Sequence, residues 1–410
     1  MRQLVRLSWR NLWRNRRRTL LSIGSIGFGL ALFVIFVALY DGMYGKIVED
    51  AVRIRGGHLT LEHPGYLDTP SPRLSIGPEG DLTTALGVVP GLERTQAMVI
   101  SQGLLQSSAA AIGVTIVGLR ARDAALSPPG KKLVSGQGLA DGDSQVAVLG
   151  RLLARRMKVA EGKKIVLSVS NVRGETVQEL FRVKGVYEVG APEIDGALVQ
   201  VPIESAQRLL GLAPGQVNRV GLVLQDPQRL EEIAALVVGR VSSATVRVRR
   251  WEESLPDLAS FIRVDRGVNL IFNLMLCLTI LMSVLNTFWM AVLERGREFA
   301  VLLALGTPAR YLRAQVLLEN VWIALLGCLC GLALGGGAAY IVQLHGIDVS
   351  GLMPPGGTSV SGFALEPTIH TLVHPQKLLW LGSGMFLATL LLGLYPVSRA
   401  ARPSVLSHLR

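Results

Sequence analysis

Cysteine is scarce in this chain of 410 residues, and the three that occur, Cys277, Cys328 and Cys330, all lie inside long apolar stretches. The polar middle, residues 41–265, has none. No disulfide framework can support that segment, so its stability must come from an ordinary buried core. A length of about 225 residues is ample for one. Cys328 and Cys330 point about 200° apart around a helix, which argues against a shared metal site. Catalytic signatures are missing too. The sequence has no G-x-x-x-x-G-K-[ST] phosphate cradle, no G-x-S-x-G elbow and no H-E-x-x-H pair. Gly136, Gly138 and Gly142 miss the G-x-G-x-x-G spacing by one position and read as a loop. No nucleophile-and-base cluster stands out, so nothing points to an enzyme.

Charge is absent from four apolar stretches, residues 19–40, 267–293, 321–344 and 378–397, the third within a segment 314–344. A helix rising 1.5 Å per residue crosses a hydrocarbon core of about 30 Å in about 20 residues, and each stretch is that long. A mean hydropathy of +0.41 with only 18% charged residues fits a membrane protein that carries a polar domain. The lack of intramembrane charge argues against a proton-coupled pump. The first stretch is too long for a cleavable signal and ends in Leu39, Tyr40 and Asp41 instead of a small-residue cleavage site. It reads as a retained anchor.

Positive residues fix the orientation. Arg2, Arg6, Arg10, Arg14, Arg16, Arg17 and Arg18 precede the first stretch with no acid among them, which places the N-terminus in the cytoplasm. Alternation then puts 41–265 and 345–377 outside, with 294–313 and the tail 398–410 inside. The three internal segments hold fourteen arginines and two glutamates, the whole net charge of +12. The basic excess therefore serves topology and anionic lipid, and nucleic acid is not an expected partner.

In the outer segment, short β-branched or alternating runs predict strands over 58–62, 112–118, 145–149, 164–170, 181–189, 197–201, 220–224 and 245–248. Helices are expected over 150–157 and 205–210, and after Asp226 and Pro227 as N-cap and first helical residue. The fold class is an α-helical membrane protein with four transmembrane helices plus a large α+β extracytoplasmic domain between the first and second. His370 and His374, four apart in a Gly- and Pro-rich loop, read as solvated and not as metal ligands.

Residues 1–18 are amphipathic, with Val5, Trp9, Leu12 and Trp13 on one side and Arg6, Arg10, Arg14 and Arg17 on another, as expected of an interfacial helix. Between spans two and three, a short helix with charges at its start carries Phe299, Leu302 and Leu303 on one face and is stopped by Gly306. Apolar residues exposed there need a cover, either a protein partner or lipid. Gly327, Gly331 and Gly335 recur every four residues in span three, which suits close helix packing within or between chains.

Five stretches carry a family resemblance. The run Asn286-Thr287-Phe288-Trp289-Met290-Ala291-Val292-Leu293-Glu294-Arg295-Gly296-Arg297-Glu298-Phe299, followed by Ala304-Leu305-Gly306 and Glu319, resembles the ABC transporter permeases grouped with MacB, FtsX and the lipoprotein-releasing LolC and LolE. So do the opening Trp9-Arg10-Asn11-Leu12-Trp13 and the tail Tyr395-Pro396-Val397-Ser398-Arg399. In the outer segment, Val146-Ala147-Val148-Leu149-Gly150-Arg151 and Gly185-Val186-Tyr187 resemble that family's core motifs. The layout and length fit the LolC/LolE branch best.

The resemblance implies a MacB-like periplasmic domain at 41–265 and an inner-membrane permease without catalytic residues. Such a permease works as a homodimer or related heterodimer over two copies of a separate ABC ATPase, which binds the ATP and Mg. The loop helix becomes the ATPase-coupling helix, with Glu294, Arg295, Arg297, Glu298, Phe299 and Leu302 inheriting that role. Lipoprotein acyl chains would meet Phe33, Phe36, Val37, Tyr40, Ile271, Phe272 and Met275, and a periplasmic carrier or adaptor could attend. MacB-like efflux and FtsX-like signalling to a cell-wall hydrolase share the fold and stay open.

Overall fold

The computed structural model describes residues 2–14, 16–241, 245–352, 359–360, 363–364 and 368–400. The tail beyond residue 400 and parts of the 345–377 connection fall outside those residues. The chain divides into two units, Met1–Gly45 with Val264–Val349 and Thr368–Arg410, and Lys46–Arg263 with Ser350–Pro367.

The first unit is helical. Its elements are α1 (Arg2–Arg14), α2 (Arg16–Arg55), α3 (Pro256–Glu294), α4 (Gly296–Ala304), α5 (Ala309–His345) and α6 (Pro375–Ala400). Among the described residues four helices are long and apolar enough to cross a membrane, Arg16–Ile54, Pro256–Glu294, Ala309–His345 and Pro375–Val397, and the four expected spans lie within them. α2 outruns the expected end at residue 40. Past that point Lys46 pairs with Asp50 and Glu49 with Arg53, one helical turn apart, which supports helix where apolar burial no longer does. The joint between α1 and α2 is closed by the Thr19 hydroxyl, which donates to the Leu12 carbonyl at 2.6 Å and satisfies one of the open carbonyls at the end of α1. The core of this unit joins Leu12, Ile26, Leu30, Ile280, Phe288 and Ile323 from four helices.

The second unit is built on ten strands: β1 (Leu59–Glu62), β2 (Leu92–Gln106), β3 (Ala111–Leu119), β4 (Leu133–Gly136), β5 (Val146–Gly150), β6 (Lys164–Ser170), β7 (Thr176–Tyr187), β8 (Leu198–Pro202), β9 (Arg219–Leu224) and β10 (Arg247–Arg250). β10, β1, β9 and β2 form an antiparallel run. From β2 the pairing passes through β3, β8, β5, β7 and β6 and returns to β2, a closed ring of six strands. Leu61, Leu105, Leu149, Phe181 and Val199 are among the side chains buried in its core.

Each of the eight expected strands is matched or overlapped by an observed one, with 181–189 found at Thr176–Tyr187 and 245–248 at Arg247–Arg250. The helices Arg151–Met157, Ile203–Leu210 and Leu230–Val241 also form, the last after a 3-10 turn in which Asp226 caps the Gln228 N–H at 2.9 Å. The motifs at 146–151 and 185–187 prove to be one structure. β5 and β7 run parallel with Gly150 beside Tyr187, whose buried hydroxyl donates to the Leu198 carbonyl at 2.9 Å. A Cβ on Gly150 would lie 2.3 Å from the Asp195 carbonyl oxygen, and one on Gly185 would lie 2.4 Å from that of Gln137. Glycine is needed at both for backbone contact.

Strand register also places a charge in the interior. Glu62 on β1 faces Arg219 on β9, and its carboxylate bridges Arg219 at 2.7 Å and Arg249 of β10 at 2.8 Å. The Glu62 side chain is fully buried and both arginines nearly so. Removing the acid would leave two cations facing each other out of water, so Glu62→Gln is expected to cost the outer unit about 3–5 kcal/mol in denaturant unfolding. A second test is pH. His58 is buried, its Nδ1 accepts from the Leu224 N–H at 3.1 Å, and burial holds its pKa below the ordinary 6.5. The unfolded chain therefore takes up a proton before the folded one does. Its contribution is complete above pH 6.5 and is lost as pH falls from there through the lower folded value. Thermal unfolding between about pH 7.5 and pH 5.5 should show a drop in Tm that His58→Gln reduces.

Candidate functional site

α4 begins where α3 ends. Glu294 closes α3, Arg295 is the N-cap of α4, and Gly306 turns the chain at φ +88° after the helix, with its N–H donating to the Leu303 carbonyl at 3.0 Å. The positive φ is glycine's reason for being there. Four of the six residues expected to couple are engaged inside the unit. Glu294 pairs with Arg18 at 3.1 Å, Glu298 with Arg14 at 2.6 Å, and Arg295 with Glu319 at 2.5 Å, while the Arg295 guanidinium lies 5.1 Å from the centroid of the Phe299 ring.

Phe299 corrects an expectation. Its spacing predicts a place on the exposed apolar face, yet it is 3% exposed and lines a cavity of about 170 Å³ with Leu12, Phe288, Ile323 and Val397. Leu302 is exposed as expected, at 37%, and its outward apolar companions are Val301 at 58% and Leu305 at 77%, next to exposed Arg297. Val301 and Leu305 escaped the sequence reading because α4 is apolar nearly all round after Glu298, so spacing alone does not say which stripe turns inward. The Val301 to Leu305 interval of four residues was the available signal.

Of the residues expected to meet acyl chains, Phe36 and Phe272 come together edge to face with centroids 5.9 Å apart. Phe33 and Val37 are half-buried, and Phe33 packs on the core. The Tyr40 hydroxyl, with that of Tyr44, donates to Asp265 Oδ2, which ties the outer ends of α2 and α3. Ile271 and Met275 do not join them. They lie on an exposed stripe of α3 continued by Leu278 and Met282.

The glycine row resolves to contact within the chain. A Cβ on Gly327 would lie 2.8 Å from the Ile26 side chain, one on Gly331 2.8 Å from the Gly27 carbonyl oxygen, and one on Gly335 2.7 Å from Ala31 Cα, so all three face α2. The 370–372 stretch, expected as a solvated loop, is stitched to the same two helices. Thr371, buried, donates to the Ala339 carbonyl at 2.5 Å and the Leu372 N–H to the Ala38 carbonyl at 2.9 Å. His370 sets Nδ1 3.2 Å from the Gln343 carbonyl oxygen. Among the described residues no group of three or more His, Cys, Asp or Glu could hold a metal ion.

Comparison with known proteins accords with this layout. A family described as MacB-like periplasmic core domain matches residues 19–239, and one described as FtsX-like permease C-terminal matches 270–405. The lipoprotein-releasing system transmembrane protein LolC of Neisseria meningitidis is 23% identical over 342 residues, 79% of this chain and 78% of its own length. The macrolide export ATP-binding/permease protein MacB of Wolinella succinogenes is 22% identical over 420 residues, covering 98% of this chain and 59% of MacB. The crystal structure of the periplasmic region of MacB from Actinobacillus actinomycetemcomitans, 16% identical, aligns with 50% of this chain and 94% of that one at a TM-score of 0.35.

The two faces of α4 make opposite predictions. Phe299→Asp buries a charge and should destabilise the membrane unit by about 3 kcal/mol or more in thermal unfolding in detergent, whereas Leu305→Asp should stay within about 0.5 kcal/mol of the parent.

Proposed function

This chain belongs to the MacB/FtsX/LolC-LolE group of ABC transporter permeases, and on that premise we propose that it is a non-catalytic subunit that relays the motion of a partner ATPase across the bacterial inner membrane to lift lipoproteins out of the bilayer toward the outer membrane. The observation that carries this reading is the outward face of α4. Val301, Leu302 and the C-cap residue Leu305 are exposed along a short helix whose base is tied into the protein by ion pairs, and an exposed apolar face of that kind calls for a groove on a partner. Two ATPase copies would bind the ATP and Mg, and the permease would act as a homodimer or related heterodimer. The arginine-rich ends, with α4, would face the cytoplasm, and 41–265 the periplasm.

Motion at α4 reaches the spans only if the ATPase binds one arrangement of the permease better than the other. The tie from Tyr40 and Tyr44 to Asp265 would then carry movement between α2 and α3 at the far end. Amphipathic cargo suits the outer ends of those helices, where Phe36, Phe272, Ile271 and Met275 offer adaptable apolar surface to acyl chains, with Phe33, Val37 and Tyr40 behind them. A MacB-like export of peptides or hydrophobic small molecules is the second reading, favoured by similarity to MacB over 98% of this chain.

The test is reconstitution in proteoliposomes with a separate ABC ATPase subunit from the same organism. A triacylated lipoprotein should stimulate ATP hydrolysis and be released, and Leu305→Asp should reduce capture of the ATPase about tenfold or more, the size expected of an anchor residue. Stimulation by peptides or drugs alone would move the assignment to export. Hydrolysis with no release of any substrate would move it to signalling.

A further inference from the structure

Glu319 stands in the first third of α5, just before the apolar stretch 321–344, and its side chain is 13% exposed. Its Oε2 accepts from Arg295 Nη1 at 2.5 Å and its Oε1 from Asn11 Nδ2 at 3.2 Å. One carboxylate thus holds the N-cap of α4 and the last turn of α1 from a position on α5. The neighbouring pairs Arg14–Glu298 and Arg18–Glu294 each have at least one partner about half exposed, so each ties α4 more weakly than a buried contact would. The Glu319 contact differs because Arg295, at 16% exposed, and the acid are both withdrawn from water, where a charge-assisted bond is strong and an unpaired partner is costly.

Packing does not fix α4 by itself. The cavity of about 170 Å³ lies against Phe299, Arg295 and Glu319, so the helix has room on its inner side. Asn320 on the same wall is 5% exposed, and neither amide atom has a hydrogen-bond partner, so it supplies no competing tie.

We infer that Glu319 is the positioning residue of α4: it makes α1, α4 and the start of α5 move as one piece, so that a push on α4 is delivered to the amphipathic helix and the third span and is not spent bending the loop. This deepens the reading of α4 as the coupling helix and rests on it for its consequence in transport. The mechanical claim stands on the contacts alone.

The two are separated by experiment. Spin labels at the exposed positions Arg10 and Arg297, in the full chain with its three native cysteines replaced by serine, report the distance between α1 and α4 without any ATPase. Glu319→Leu, which keeps the bulk, and Arg295→Gln, which attacks the same contact from the other side, should each broaden that distance distribution about twofold or more, while Glu319→Gln, which keeps an acceptor, should broaden it less. A Glu319→Leu distribution as narrow as the parent's overturns the inference. In reconstitution with the ATPase, unlabelled Glu319→Leu should still capture the ATPase but move about fivefold less substrate per ATP. Capture with unchanged coupling would also overturn it. A parent chain that captures no ATPase would instead defeat the coupling reading and leave the distance result in force.

Discussion

Helices in hydrocarbon gain nothing from hiding leucine from lipid, so what holds these spans together is fit and polar contact. The fit is supplied by Gly327, Gly331 and Gly335, which let α5 approach Ile26, Gly27 and Ala31 of α2 closely enough that no Cβ could be added without collision. Polar contacts sit at the two ends of the spans, and inside them the Ser25 and Ser283 hydroxyls of α2 and α3 lie 3.1 Å apart. Thr371 and Leu372 reach carbonyls of α5 and α2 at one end, and at the other Arg295, Glu319 and Asn11 join α4, α5 and α1. A close seam with a fastening at each end is an arrangement that can shift as a body without coming apart.

The outer unit answers a different problem, a large polar domain with no cysteine. It closes six strands on themselves, which leaves no free edge within the ring, and it accepts a buried acid between two arginines. The acid is poor stabilisation in itself, because removing charges from water costs nearly as much as their attraction returns. Its effect is on register, since Glu62 meets Arg219 only when β1 and β9 are aligned as they are.

Much of this was legible in the chain, and the limits are physical. Apolar length gave the spans, arginine distribution the topology expectation, and β-branched runs most of the strands. β2 was missed because its polar residues Arg94 and Gln96 are themselves buried, which erases the alternation that marks a half-buried strand. Phe299 was assigned to the wrong side because a nine-residue helix with apolar residues around most of its girth has no readable direction. The ties at Glu319 and Asp265 link positions hundreds of residues apart, and no local pattern encodes such a meeting. The family motifs carried Glu319 without saying what it does.

One consequence lies in β2, whose fifteen residues pair with β9 along Leu92–Met98 and with β3 along Val99–Gln106. The same backbone is thus shared by the antiparallel run and by the ring. Sliding β2 itself by one residue against its neighbours would turn Ala97 and Val99 out of the apolar cluster and bring Arg94 and Gln96 into it. Slip along this strand is therefore costly, because it would spoil the pairing and the core together.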